Sequence, residues 1–154
     1  MMENRSNLLL GFIFMSVIFT STEVVYAEQP KSYNLSGRIE NLFQGDIYIF
    51  LVDEETSKKP FQGVMERLIP QEELTDLEYL NFVFHSLPEG EYGIRCYQDQ
   101  NSNGKLDRGI FGFKEPWGLS WNDTQKSGWP SFDNFKFILN RDIDNIRIIM
   151  DGGK

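Results

Sequence analysis

Apolar and polar residues alternate with period two along most of the chain beyond residue 30. Period 3.6 is rare, so the pattern predicts strands and few helices. Tyr33, Leu35, Gly37 and Ile39 alternate with polar neighbours, the mark of a half-buried strand. Residues 46–53 (DIYIFLVD) are apolar on both faces and rich in β-formers, which predicts a central strand entered through a Gly45-Asp46 turn. Lys58-Lys59-Pro60 breaks the pattern and makes 54–60 a loop, and 64–69 is a further strand candidate. Residues 71–79 (QEELTDLEY) fit one helical turn or a loop with a solvated acidic face. Residues 80–87 and 91–98 read as two strands. The Leu87-Pro88-Glu89-Gly90 turn between them predicts a hairpin. Residues 135–139 and 143–150 form the last two strands, joined by Asn140-Arg141-Asp142. Six or seven strands with short turns and one long irregular loop predict an all-β, antiparallel β-sandwich.

The first 27 residues follow another rule. Arg5 and the amino terminus outweigh Glu3, an apolar run covers 8–19 (LLLGFIFMSVIF), and Val25-Tyr26-Ala27 ends on a small residue. This is the layout of a secretory signal peptide cut near Ala27, with an uncleaved anchor as the alternative. The apolar run is shorter than the roughly 20 residues that span a bilayer. The expected plan is a signal peptide over 1–27 and a single sandwich domain over 28–154, exported to the periplasm or beyond. Residues 28–154 hold no second long apolar run, so no transmembrane segment is expected there.

Composition narrows the chemistry. Lys and Arg number 15 against 23 Asp and Glu, a net charge of −8, which argues against a nucleic-acid partner. One His and one Cys exclude a His/Cys zinc site and an intramolecular disulfide within one chain. Cys96 alternates with Tyr92 and Ile94 and so belongs to an apolar face, an intermolecular link being the alternative. His85 shares a face with Val83 and reads as structural or half-exposed. No G-x-S-x-G nucleophile elbow accompanies it.

Residues 99–107 (DQNSNGKLD) carry the densest chemistry. Oxygen side chains fall at the first, third, fifth and ninth places, and Gly104 is sixth, as in the opening of an EF-hand-like calcium loop. Asp99, Asn101, Asn103 and Asp107 supply four candidate oxygen ligands and the Lys105 carbonyl a fifth. The twelfth place, where that pattern puts a bidentate Glu, holds Ile110. A carboxylate from elsewhere, Glu115 or Asp123, has to close the shell. Two of the four side-chain ligands are neutral, and Lys105 and Arg108 stand beside them, so weak calcium binding is expected. The competing reading is a metal-free loop held by Asx-turns.

Residues 108–134 show no clear strand and hold all three Trp. A loop this long is usually functional or packed by its own side chains. Phe111, Phe113, Trp117, Trp121 and Trp129 are the candidate contacts for a small ligand, glycan or protein partner. Burial of most of these rings as a satellite core is the competing reading. Two further functional readings stand beside a binding module. One is a glycosidase-like hydrolase drawing a carboxylate pair from Asp99, Asp107, Glu115 and Asp123. The other is a passive envelope component that pairs its edge strands with another chain.

Several motifs occur together: Leu87, Pro88, Gly90 and Tyr92; Asp99, Asn101, Asn103, Gly104 and Asp107; Glu115, Trp117, Gly118, Ser120 and Asn122; Pro130, Ser131 and Phe132. In combination they resemble the bacterial exported-protein family called domain of unknown function two-one-four-one. The family's G-x-P-x-E element is altered here, with Phe113 and Lys114 between Gly112 and Glu115 and the Pro after the acid. The resemblance implies an immunoglobulin-like or transthyretin-like sandwich, export, and no established enzymatic activity. It supplies no catalytic residues.

Overall fold

The computed structural model describes residues 30–121 and 130–153. The expected leader over 1–27, and Asn122, Asp123 and Trp129, lie outside the described residues. Strand β1 (Ser32–Glu40) is followed by β2 (Asp46–Val52), a helical turn α1 (Glu54–Ser57) and β3 (Met65–Ile69). After a 3-10 turn at Gln71–Leu74 come β4 (Tyr79–Pro88) and β5 (Gly90–Asp99). Short strands β6 (Arg108–Gly109), β7 (Gly112–Phe113) and β8 (Trp117–Leu119) follow, then β9 (Phe137–Leu139) and β10 (Ile143–Ile149).

Two main sheets form, one in the order β10-β1-β4 and the other β3-β2-β5-β8, with β9 also paired to β5. Both feed one aliphatic core. Leu35, Ile39, Phe82, Phe84, Ile146 and Ile148 enter from the first sheet, and Ile47, Ile49, Leu51, Ile94 and Cys96 from the second. The fold is thus the expected all-β sandwich. Pairing is antiparallel except between β1 and β10, which run parallel.

The alternation of β2 and β5 explains a second layer. Their inward residues enter the aliphatic core, whereas Phe50, Val52 and Tyr97 join Phe113, Trp117, Leu119, Phe132 and Phe135 on the outer face. Arg95 lies in this outer layer, its guanidinium 5.5 Å from the Phe50 ring centre. It donates to the carbonyls of Ser57, Lys59 and Gln62 and so ties the segment after α1 to the sheet. Burial pulls the Arg95 guanidinium down to about 10, which leaves it charged at neutral pH.

Three expectations are corrected. The 80–87 and 91–98 strands do not pair as a hairpin: β4 pairs with β1, and β5 with β2. Pro88-Glu89-Gly90 instead carries the chain from one sheet to the other. The apolar faces of the two strands then meet across the core, and the Tyr92 hydroxyl braces the corner by donating to the Pro88 carbonyl at 3.2 Å. The turn at 140–142 crosses between sheets in the same way, because β9 pairs with β5 and β10 with β1. The 54–60 loop begins with α1, started by a reciprocal Asp53–Thr56 capping box. The long loop contains β6, β7 and β8, the last paired with β5.

Candidate functional site

The 99–107 coil leaves the end of β5 and is built from side chains that grip their own backbone. Asp99 Oδ1 accepts from the N–H of Asn101 and Asn103 at 3.3 and 3.2 Å, and Oδ2 from the N–H of Gly104 at 2.6 Å. Asn101 Oδ1 accepts from the Asn103 N–H, and Asn103 Oδ1 from the Lys105 N–H. Each acceptor turns the chain inward, and the left-handed positions this requires fall on Ser102 and on Gly104 (φ 73°). The sixth-place glycine therefore does what the spacing predicts.

The base of the coil is fixed from below. Buried Gln98 accepts from the Phe43 N–H and donates to the carbonyls of Phe43 and Gly45. Gly45 itself (φ 112°) sits so close that a Cβ there would meet the Asp99 carbonyl oxygen at 2.1 Å. On the outer face the rings of Tyr48 and Tyr97 stack at 4.9 Å, and the Tyr97 hydroxyl donates to the Gly104 carbonyl at 3.1 Å.

Glu115 closes the coil from behind. Its Oε1 accepts from the Gln100 N–H at 3.0 Å and its Oε2 from the Asp107 N–H at 2.9 Å, so one carboxylate staples both ends of the turn. Asp99 is 1% exposed and Glu115 3%. Burial pushes the Glu115 carboxyl above its ordinary value. The charges of Asp99 and Asp107 add to the push, against the two backbone N–H donors. Among the described residues none of these three acids forms an ion pair.

The side-chain amides of Asn101 and Asn103 instead converge on Asp107 Oδ2, at 2.8 and 3.1 Å. Four of the five sequence-predicted ligands, Asp99, Asn101, Asn103 and Asp107, are thus joined in one hydrogen-bonded cluster. The fifth, Lys105, contributes its N–H to that cluster. No group of three His, Cys, Asp or Glu among the described residues is arranged to hold a metal ion. A hard cation here needs the Asn oxygens and a backbone carbonyl, as the chemistry of calcium allows. Rotating the two amides by a half-turn would present oxygen where nitrogen now stands.

The aromatic candidates divide. Phe113 and Trp117 are buried against each other, edge to face at 4.8 Å, and pack the outer layer. Backbone bonds between Trp117 and Asp151 hold that region to the chain's last residues. Phe111 and Trp121 (46% exposed) face solvent. The cavity bounded by Phe50, Arg95, Tyr97, Leu106, Trp117 and Phe135 is about 20 Å³, room for one water and no ligand. Cys96 is buried, and desolvation pushes its thiol up. His85 is exposed, its Nδ1 3.1 Å from Asn34 Oδ1. Sequence reasoning missed the roles of Gln98 and Tyr97. A polar residue at the end of an otherwise apolar strand was the only local signal for the former.

A stretch of 54 residues is 35% identical to the mouse (Mus musculus) protein "Chromodomain-helicase-DNA-binding protein 1-like". It amounts to 35% of this chain and spans 6% of that protein's length, too little to bring any property across. No solved structure matches the chain. No helix among the described residues is long and apolar enough to cross a membrane. The corner turn, the oxygen-rich coil, Glu115 behind it and the strands on either side all fall within residues 39–147, which match a family profile. The chain belongs to that family, DUF2141, described as "Uncharacterized protein conserved in bacteria".

Proposed function

We propose that this protein is an exported, non-enzymatic binding module whose 99–107 coil takes up calcium and thereby fixes the loop end of the sandwich. The observation that supports the reading is the tight coil in which Asp99, Asn101, Asn103 and Asp107 share one hydrogen-bonded cluster, with neither acid in an ion pair among the described residues. Two Asn amides supply only partial positive charge to Asp107. A divalent ion would supply more, and it would offset the burial and the repulsion that together hold Glu115 up. Asp99, Asn101, Asn103, Asp107 and the Lys105 carbonyl are the ligands, with Glu115 as the acid that stands in for the absent twelfth-place Glu. The affinity expected of such an exported module is on the order of 10⁻⁴ to 10⁻³ M.

Export rests on the charge and hydropathy layout of residues 1–27. The geometry favours binding over a carboxylate-dependent hydrolase. Asp99 and Glu115 are buried and committed to backbone N–H donors, which suits holding a coil and does not suit activating water at a cleft.

The test is thermal melting in chelator and in millimolar calcium. At that affinity millimolar calcium reaches about 1 to 10 times Kd and adds about 0.4–1.4 kcal/mol, which raises Tm by a few degrees in a domain of this size. Asp99→Ala combined with Asp107→Ala should abolish the rise. A parent chain whose Tm is the same in both buffers removes calcium from the account.

A further inference from the structure

The hairpin formed by β6 and β7 ends in two bare apolar side chains. Ile110 is 96% exposed and Phe111 79%, whereas the next most exposed large apolar side chain among the described residues, Ile138, is 61%. Neither position is an accident of a loose loop. Arg108 pairs with Phe113 and Gly109 with Gly112. The Lys114 N–H extends the ladder to the Asp107 carbonyl at 2.8 Å. Phe113 is locked edge to face on Trp117, and Asp107 is stapled by Glu115. The stem is thus anchored in the aromatic layer on one side and in the coil on the other, and it holds its tip out into solvent.

The stem is also cationic. Lys105, Arg108 and Lys114 are all exposed within ten residues of a chain whose net charge is −8. The Arg108 guanidinium lies 5.8 Å from the Phe113 ring centre. A Cβ at Gly109 would meet Lys114 Cε at 3.2 Å, so the lysine stem lies along the hairpin. An exposed apolar tip with cations on its stem is complementary to hydrocarbon beneath a layer of negative headgroups.

We infer that the β6–β7 hairpin is a reversible membrane-docking element. Ile110 and Phe111 enter the acyl boundary of an anionic bilayer, and Lys105, Arg108 and Lys114 rest on its headgroups. Two weak signals are combined, because a single short apolar anchor holds a protein only marginally at an interface. The element goes beyond the calcium reading and does not rest on it. Ile110 occupies the place where a calcium loop would carry its closing acid, so the position serves the tip and not the ion.

The experiment is vesicle co-sedimentation of the chain as recovered from the expressing cell. The vesicles are phosphatidylglycerol–phosphatidylcholine mixtures or phosphatidylcholine alone, at low and high salt, with calcium and with chelator. Binding is expected to the anionic vesicles, to fall steeply with salt, and to drop about tenfold or more in Ile110→Ser combined with Phe111→Ser. Because the tip is exposed, that variant should melt with the parent. Both chains share every other segment, so an apolar leader contributes equally to each. Phe111→Trp should show a blue-shifted emission on adding anionic vesicles. Equal sedimentation of parent and double variant, or no sedimentation of the parent in either buffer, overturns the inference. So does self-association of the parent that the double variant loses without any vesicle binding, which would assign the tip to a protein contact.

Discussion

The two apolar layers of this molecule share strands β2 and β5 but are built differently. The layer between the sheets is mostly aliphatic, and its residues come from strands that announce themselves by alternation. The outer layer is mostly aromatic, and half of its buried residues, Phe113, Trp117, Leu119 and Phe132, come from the long loop with no periodicity. Strand β5 is buried on both faces because it serves both: Tyr92, Ile94 and Cys96 point one way, Gly93, Arg95 and Tyr97 the other. The difference teaches that the aliphatic layer makes the fold, while the aromatic layer fixes where the irregular chain lies, and with it the coil and the hairpin.

The sharpest way to break the comparison is Ile94→Ala, which opens a cavity in the aliphatic layer at a fully buried position. A loss of about 2–5 kcal/mol is expected in urea unfolding. Near-UV circular dichroism, to which the packed rings of the outer layer contribute, should change in one transition with far-UV circular dichroism. Two separate transitions would mean that the layers are independent. Gly93→Ala probes the other face of the same strand. A Cβ there would meet the Phe135 ring at 2.5 Å, in an outer layer already packed. A cost of about 1–3 kcal/mol is expected. Its companion sign is a change in near-UV aromatic ellipticity while the far-UV spectrum is kept.

The smallest effect concerns the coil that the aromatic layer supports. The Glu115 carboxyl titrates above its ordinary value when folded, so folding favours its protonated form. That contribution is fully present below the unfolded value of about 4.3 and is lost as pH rises through the folded value. In chelator, the stability of the parent relative to Glu115→Gln should therefore decline as pH rises through this window, and calcium should reverse the decline. A flat difference across the series would show that the desolvation and repulsion at Glu115 are already relieved.

The long strands were legible because burial imposes period two on β1, β2, β4, β5 and β10. The coil was legible because its spacing is local: every bond Asp99 makes to backbone falls within five residues. Strand β8 was not, since Trp117-Gly118-Leu119 is too short to show a period. The Pro88–Gly90 turn was read as a hairpin because corner and hairpin use the same turn residues, and only the placement of the sheets decides between them. Nor does the sequence separate Phe111, which faces water, from Phe113, two residues on and buried. Phe111 lies in the turn between β6 and β7, whereas Phe113 is on β7 and packs against Trp117.

The parallel β1–β10 pair has a consequence for how the molecule is completed. Leu35 stands opposite Ile143, so β1 finds this neighbour only after β2 to β9 have been synthesised. Until then its flank is an unclosed ladder, and contacts so remote in sequence form slowly. A product truncated before β10 should keep that flank bare and clump. A chain of this topology commits to its final shape only once β10 is free of the ribosome.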